Sequence, residues 1–533
     1  MTLQYNIDQV VLRDGQIFAY GWGFVPGAAV RRLSLRLEFE GGIVEEVDAG
    51  YGRQRDDVQA AFAGVSEAQN AGFLIFGGLG KRQLVRAVLL WDVADMPRIE
   101  TILPLPDAEA QAGQLTRFGY YKMLLRKAVT LLKAGGARAL FRKVMRYLSN
   151  RPRKVNEDVW AQLRAGMAGR ALCVIVDHDM GGGANIYRSE VVAQRCAAGE
   201  VVLLLGFHIA SLQYFAQVFD GQASRRYSVG QLDEVLQLLA GAQVTQVIYN
   251  CAVSFRAPLQ VPELLALLRN RTGAPLLFLV HDYFAICPSH FLIDADGKFC
   301  AVPETAVCDG CLARHRDGFV SLSGIREIAV WRHKWGEALK LADEVRVFSE
   351  SSRTMLLRAY PALDVARISL VPHVLHTQLA PQSVAAGGGL HIGIVGAVGR
   401  HKGAAIVAAL AERIQQLGAA VKITVIGTLE AKVPREIVRV TGPYEAGSLP
   451  AEIAKSGANV FLFPSIWGET FSYTSHELIA MKLPFACFDF GAQADLARRY
   501  EQGLVLESMD AAEILDRLQD FWRSCYHLRE TTP

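Results

Sequence analysis

The chain has 533 residues, of which 51% are hydrophobic and 20% charged, and a net charge of +3. Such a length exceeds one hydrophobic core, so about three domains of roughly 150 residues each are expected. No apolar run reaches the roughly 18 residues of a membrane-spanning helix, and nucleic acid is not an expected partner.

The charge is unevenly spread. Residues 110–156 hold twelve Lys or Arg and no Asp or Glu, so the remainder is acidic. The first eight residues lack a basic stretch followed by an apolar core, so no export signal is expected. A cytoplasmic protein, with contact at the inner face of the membrane, is the expectation. Nine cysteines, an odd number, point to reduced thiols rather than a disulfide framework.

In chain order, residues 1–105 read as a small β-sandwich-like accessory domain. Gln9 to Leu12, Gln16 to Trp22, Arg32 to Phe39 and Leu84 to Trp91 are strand-like runs separated by Gly- and Pro-containing turns. Trp22, Tyr51 and Arg53 could form a sugar-binding face there, against the plainer alternative of core packing. Residues 106–168 read as a basic amphipathic helical linker, with Phe118, Tyr121, Leu125, Val129 and Leu132 on one stripe and Leu140, Val144 and Leu148 on another. Packing on neighbouring domains is its plain role. Contact between residues 115–154 and an anionic membrane is the sharper one.

From Ala171 onward, apolar strands alternate with helices, which implies doubly wound parallel sheets. One Rossmann-like domain spans 169–378, with a Cys-rich insertion at 287–311. A second spans 390–533, and its last helix can return to the preceding domain. The fold class is therefore α/β, with two Rossmann-like domains preceded by all-β structure.

Two loops follow the opening strands of these domains. Gly181-Gly182-Gly183 ends the first strand of the first, where glycine lets backbone approach a ligand and the next helix offers its positive end to an anion. In the second, Gly399-Arg400-His401-Lys402-Gly403 adds two cations where a pyrophosphate would lie. Further on, a buried-strand pattern ending at Pro464 leads through a polar loop into a helix and carries Glu469 and Glu477, seven residues apart in between. Carboxylates are good acceptors for vicinal hydroxyls, and the backbone N–H groups of Thr470, Phe471 and Ser472 suit a phosphate.

These residues resemble glycosyltransferase family 4, of GT-B fold, over about residues 170–525. The resemblance implies that Arg400 and Lys402 contact the donor diphosphate, that Glu469 binds donor-sugar hydroxyls, and that Glu477 binds the nucleotide ribose. It puts Gly181, Gly182 and Gly183 near the transferred sugar, and His281 and Asp282 on the acceptor side. Arg400, Lys402, Glu469 and His281 form the catalytic set so implied; Gly399, Tyr444, Thr470, Phe471, Ser472 and Glu477 complete the donor site, with Tyr444 offered either to the base or to the core. The implied reaction is metal-independent, typically retaining, and takes a hexose-like sugar from a nucleotide-diphosphate sugar; the basic helices and the additional β domain point to a saccharide or lipid-linked glycan acceptor in surface polysaccharide or lipopolysaccharide synthesis. No cofactor is required. Two alternatives are a non-catalytic sugar- or nucleotide-binding protein on a relic fold, and a sugar-nucleotide epimerase.

Asp177-His-Asp179 and Asp294-Ala-Asp296 offer a rival metal-binding reading, the second being better explained as a hairpin turn. Cys287, Cys300, Cys308 and Cys311 fall within 25 residues and end in a Cys-x2-Cys pair, the ligand set of a structural zinc. Four buried thiols without metal are the alternative.

Overall fold

The computed structural model describes residues 2–80, 82–105, 157–167, 169–230, 234–239, 241–375, 379–382, 384 and 388–526. The expected basic helices, and with them the membrane contact at 115–154, lie outside the described residues. Among those described, no helix is long and apolar enough to cross a membrane.

The chain divides into two compact units, Met1–Leu279 with Leu312–Val345 and Val280–Cys311 with Arg346–Pro533. The Cys-rich insertion, assigned from sequence to the first α/β domain, thus groups with the second unit. Its side chains find their partners there, as the contacts of His281, Phe291 and Phe299 below show.

The first unit opens with two four-stranded antiparallel sheets, one ordered Gln4–Arg13, Gln16–Phe24, Gly72–Gly78, Gly50–Arg53 and the other Val44–Asp48, Val30–Phe39, Leu84–Val93, Ile99–Ile102. In Val30–Phe39 the period of two is plain. Leu33, Leu35, Leu37 and Phe39 enter the core, while Arg36 turns outward to pair with Glu100 at 2.9 Å. Trp91 is fully buried and its indole N–H donates to Thr101 Oγ1 at 2.9 Å. The aromatic residues considered for a sugar-binding face have packing partners: Trp22 stacks on Phe24 and meets Phe62 edge-on, and the Tyr51 hydroxyl donates to the Gly23 carbonyl.

These sheets share their unit with the first α/β sheet. There, Ala171–Val176 runs parallel to Val201–His208 on one side and Gln243–Tyr249 on the other, and the latter is parallel to Leu276–Leu279. Two antiparallel strands, Gln213–Phe219 and Ser224–Val229, extend the sheet beyond Val201–His208. The sequence pattern did not separate these from the parallel strands, because Tyr214, Phe215, Ala216 and Val218 are as apolar as a buried parallel run.

The second unit holds a six-stranded parallel sheet. Its strands are His391–Val398, Lys422–Leu429, Val438–Val440, Val460–Phe463, Phe485–Phe488 and Gly503–Leu506, arranged 3-2-1-4-5-6. Strands covered on both faces must be apolar throughout, which explains the unbroken run Val460-Phe461-Leu462-Phe463. Helix Ala404–Leu417 covers one face through Val407, Leu410, Ala411 and Ile414, the spacing of a single helical stripe. The α/β class, with antiparallel β structure before it, is as the sequence predicts.

Within the first unit, the N-terminal sheets dock through Phe76, whose ring centroid lies 4.3 Å from that of Phe319, and through Asp48 N–H donating to the Arg316 carbonyl. Gly318 makes this approach possible, since a Cβ there would lie 2.4 Å from the Phe76 carbonyl oxygen. Gly318→Ala should therefore lower unfolding stability by about 1–3 kcal/mol, the usual range for overpacking. An unchanged denaturant midpoint would contradict this packing.

Candidate functional site

In a 3-2-1-4-5-6 sheet the strand order reverses between the first and fourth strands, and ligands bind at their carboxyl ends. Both sequence motifs of the second unit emerge there. His391–Val398 leads into Gly399 and the single turn Arg400–Lys402, after which Gly403 turns into helix Ala404–Leu417. Val460–Phe463 leads through the loop containing Glu469 into helix Tyr473–Ala480.

Backbone contacts lock the two loops together. Gly403 has φ +84°, and a Cβ there would lie 2.0 Å from the Pro464 carbonyl oxygen. Ile466 N–H donates to the His401 carbonyl at 3.1 Å. Lys402 Nζ is consequently 3.3 Å from Glu469 Oε1. The Glu469 side chain is 9% exposed, and Oε1 has this charge contact but no well-aligned hydrogen bond. A buried carboxylate oxygen in that state is a strong acceptor for a ligand hydroxyl. Arg400 is exposed on the same turn.

Gln493 fixes the Glu469 loop from behind. Fully buried, it accepts from Glu469 N–H at 3.1 Å and donates to the Trp467 carbonyl at 2.8 Å. Nothing in the local sequence around Gln493 marks it, since its partners lie more than twenty residues away; sequence reasoning missed it.

The proposed phosphate-facing residues adopt distinct roles. Thr470 Oγ1 donates to the His281 carbonyl at 2.7 Å, and the Thr470 carbonyl accepts from Ser352 Oγ at 3.2 Å. Phe471 is buried, stacked on His476 with centroids 4.0 Å apart and edge-on to His373. Ser472 holds a left-handed conformation, φ +65° and ψ 75°, and its Oγ contacts Ser475 Oγ at 2.8 Å. Non-glycine residues in that region cost roughly 1–3 kcal/mol and cluster at functional sites.

His281 stacks on Phe348 and His373 in a near-parallel series, with centroids 4.6 and 5.2 Å from its own. Burial, then the nearby His476, pushes His373 down to about 3, so this series is uncharged at His373 near neutral pH. Asp282 Oδ1 accepts from Phe284 N–H at 2.8 Å, capping the turn after the strand.

Glu477 lies on helix Tyr473–Ala480. Burial pushes its carboxyl up to about 7, with Lys402 pulling the other way. Tyr444 is pushed up to about 12 by burial and then by Glu477. It is partly buried against the cluster containing Ile453, Phe461 and Leu478, so the tyrosine both packs on the core and borders Glu477.

In the first unit, Gly181 and Gly182 both take positive φ, and Gly182 caps helix Gly183–Ala197. Gly181 N–H donates to Asn185 Oδ1 at 2.6 Å. The carboxylates of the Asp-x-Asp sequences have protein partners: Asp177 pairs with Arg188 at 2.9 Å, Asp179 with Arg226 at 2.7 Å, and Asp294 Oδ1 accepts two turn N–H groups.

Residues 389–524 match the family described as "Glycosyl transferases group 1", a stretch within the second unit. No curated protein matches the sequence. Among solved structures, the chain is similar to Anabaena Alr3699/HepE in complex with UDP-glucose, at 12% identity over 66% of this chain and 90% of that one, TM-score 0.42. It is also similar to a glycosyltransferase from Rickettsia africae ESF-5, at 11% identity over 68% and 93%, TM-score 0.41. The pneumococcal O-GlcNAc transferase GtfA in complex with UDP and GlcNAc matches at 13% identity over 58% of each chain, TM-score 0.35.

The raised Glu477 carboxyl has a definite sign. Its contribution to stability is present below its ordinary value near 4.5 and is lost as pH rises through about 7. Glu477→Gln should flatten that segment of the melting-temperature profile between pH 4.5 and 7.5 or so, and leave the ligand-free variant relatively more stable at the upper end. Parallel profiles would show that Glu477 titrates as an ordinary carboxylate.

Proposed function

We propose that the chain is a glycosyltransferase that takes its sugar from a nucleotide-diphosphate donor. The observation that carries this reading is the meeting of Lys402 and Glu469 at 3.3 Å, at the reversal of the second unit's sheet, with Glu477 on the next helix. The match of residues 389–524 to the group 1 glycosyltransferases supports it.

In this reading the donor diphosphate lies over the Arg400–Lys402 turn and the amino end of helix Tyr473–Ala480, drawing Lys402 away from Glu469. Glu469 then accepts donor-sugar hydroxyls and Glu477 the ribose hydroxyls. The reaction breaks the bond between the anomeric carbon and the diphosphate oxygen. Arg400, Lys402 and the helix amides neutralise the charge that develops on the leaving nucleoside diphosphate. The acceptor hydroxyl bonds to the anomeric carbon from the same face, and its proton passes to the departing phosphate oxygen, so the anomeric configuration is retained. No protein nucleophile and no catalytic metal are needed. His281 lies where the Thr470 contact ends, and is assigned to the acceptor side with Asp282 holding its turn. The Gly181–Gly183 loop is assigned to the transferred sugar.

A hexose-like sugar, and a saccharide or lipid-linked acceptor of a surface polysaccharide, are the substrate classes we favour. The basic segment at 110–156 suits an anionic lipid surface at the inner face of a membrane.

Thermal stabilisation by a panel of nucleotide sugars tests the donor, because a ligand of the folded state raises the melting temperature by mass action. One nucleotide should stand out, and no shift with any of them would refute the reading. With that donor, Lys402→Ala should lower turnover roughly 10²- to 10³-fold, the usual effect of removing one group that stabilises developing charge. Glu469→Gln should impair turnover more than nucleotide binding, whereas Glu477→Gln should weaken binding of the nucleoside diphosphate itself. Release of nucleoside diphosphate that does not depend on acceptor would instead favour a hydrolytic activity, and conversion of the donor into another nucleotide sugar without acceptor an isomerising one.

A further inference from the structure

The second unit contains a second constellation, in the insertion that precedes and braces the donor loops. Cys287, Cys300, Cys308 and Cys311 all belong to Val280–Cys311, and none of the four is in a disulfide. They lie close enough to act on one another electrostatically. Three of the sulfurs are faced by backbone N–H groups: Ser289 toward Cys287, Val302 toward Cys300, and Ala295 toward Cys311 at 3.3 Å. For Cys287 and Cys300 the donor is two residues on. Cys308 and Cys311 project from one helix, Thr305–Arg314.

The backbone adds an independent observation. Leu292, Ala301 and Val302 all have positive φ, at 53°, 51° and 61°. A β-branched residue there is an outlier that persists only where its surroundings fix it. Hydrogen bonds to thiols are weak and do not by themselves hold such a backbone.

We propose that these four cysteines bind one zinc ion, and that the ion fixes the loop that supports the donor site. Tetrahedral sulfur ligation at about 2.3 Å would take the four sulfurs as thiolates, their protons released to solvent, and bind them to one dication. The sulfurs are not already at ligand spacing. Among the described residues, the one trio of donor atoms within 4.8 Å of one another is Asp177, His178 and Cys251. That trio is poorly suited to a metal, because Asp177 is held by Arg188 and Asn185, and His178 Nδ1 accepts from Met180 N–H, which puts the ring proton on the other nitrogen. Closing the cysteine site requires the thiols to rotate inward around the ion.

The consequence for function rests on the donor-site reading above. Between Cys287 and Cys300, Phe291 lies flat against His401, with centroids 4.3 Å apart and 13° between planes, and 4.6 Å from Trp467. Phe299, one residue before Cys300, packs on Phe490 at 5.2 Å, and its ring would lie 3.0 Å from a Cβ placed on Gly468. The metal-bound loop would thus hold both the Arg400–Lys402 turn and the chain leading into Glu469. A loop that is competent a tenth of the time without metal would weaken nucleotide binding roughly tenfold.

The test begins with elemental analysis of the full chain produced in zinc-supplemented medium. One zinc per chain is expected, together with protection of four thiols from a thiol reagent until a chelator is added. Cobalt exchanged into the protein should show the visible bands of a tetrahedral thiolate site, and Cys308→Ser with Cys311→Ser should abolish them. Since that variant can fail to fold, chelation and zinc re-addition on the unmodified protein provide the second arm, with circular dichroism as the control. Reversible loss of roughly tenfold in nucleotide affinity is expected. Zinc far below one per chain, or two disulfides by intact mass, overturns the metal site. Stoichiometric zinc with unchanged nucleotide affinity after chelation overturns the link to the donor loops. Failure of every nucleotide to bind the zinc-loaded protein refutes the donor reading and with it that link, while the metal measurement stands by itself.

Discussion

The candidate site depends on how closely two backbone segments approach, those of Gly403 and Pro464. Residues sixty-one positions apart come so near that no side chain fits at 403, and the positive φ there excludes most alternatives as well. That contact ties the turn after the first strand to the loop after the fourth. The Ile466 to His401 hydrogen bond and the Lys402 to Glu469 ion pair follow from it. Helix Ala404–Leu417 starts at Gly403, so the same glycine also sets where that helix directs its amino end.

Charge is arranged around that contact with some economy. Lys402 is 3.3 Å from Glu469 and is also the neighbour that favours ionisation of Glu477. One ammonium therefore influences two carboxylates, of which one is nearly buried and the other is pushed toward neutrality by burial. A diphosphate would compete with both for Lys402. The competition favours the ligand only if the released carboxylates find new donors, and vicinal hydroxyls supply them. A bare phosphate offers none, so in the proposed reading this geometry would discriminate for a phosphate with polyol groups on either side.

Much of this was legible in the sequence because it is local. The glycine turn with its two cations, the unbroken apolar strand ending at Pro464, and the spaced glutamates each lie within a short window whose periodicity and composition report directly on structure. What was not legible arises from distant contacts. Gln493 looks like any helix residue until it bonds Glu469 and Trp467, and His373 becomes notable only beside His281, Phe348 and Phe471. Asp282, read from its neighbour His281 as an acceptor-side group, has a carboxylate oxygen committed to the turn at Phe284. The grouping of the Cys-rich insertion with the second unit was likewise hidden, since sequence order places it inside the first.

Ser472 shows how a local irregularity can serve an anion site. A serine before a helix ordinarily folds its hydroxyl onto one of the first helical N–H groups and satisfies it. Here the left-handed backbone sends Oγ to Ser475 Oγ instead, and no side chain caps the helix. The Ser472 carbonyl meanwhile lies 3.0 Å from His476 Nδ1. An acceptor at that distance requires the proton on Nδ1, and burial lowers the His476 pKa, favouring the neutral ring. The conformation of Ser472 thus leaves the first amides of the helix uncommitted to side chains, while burial disfavours a positive charge on His476. Attraction for an anion at this point would then rest on the helix amides, Arg400 and Lys402.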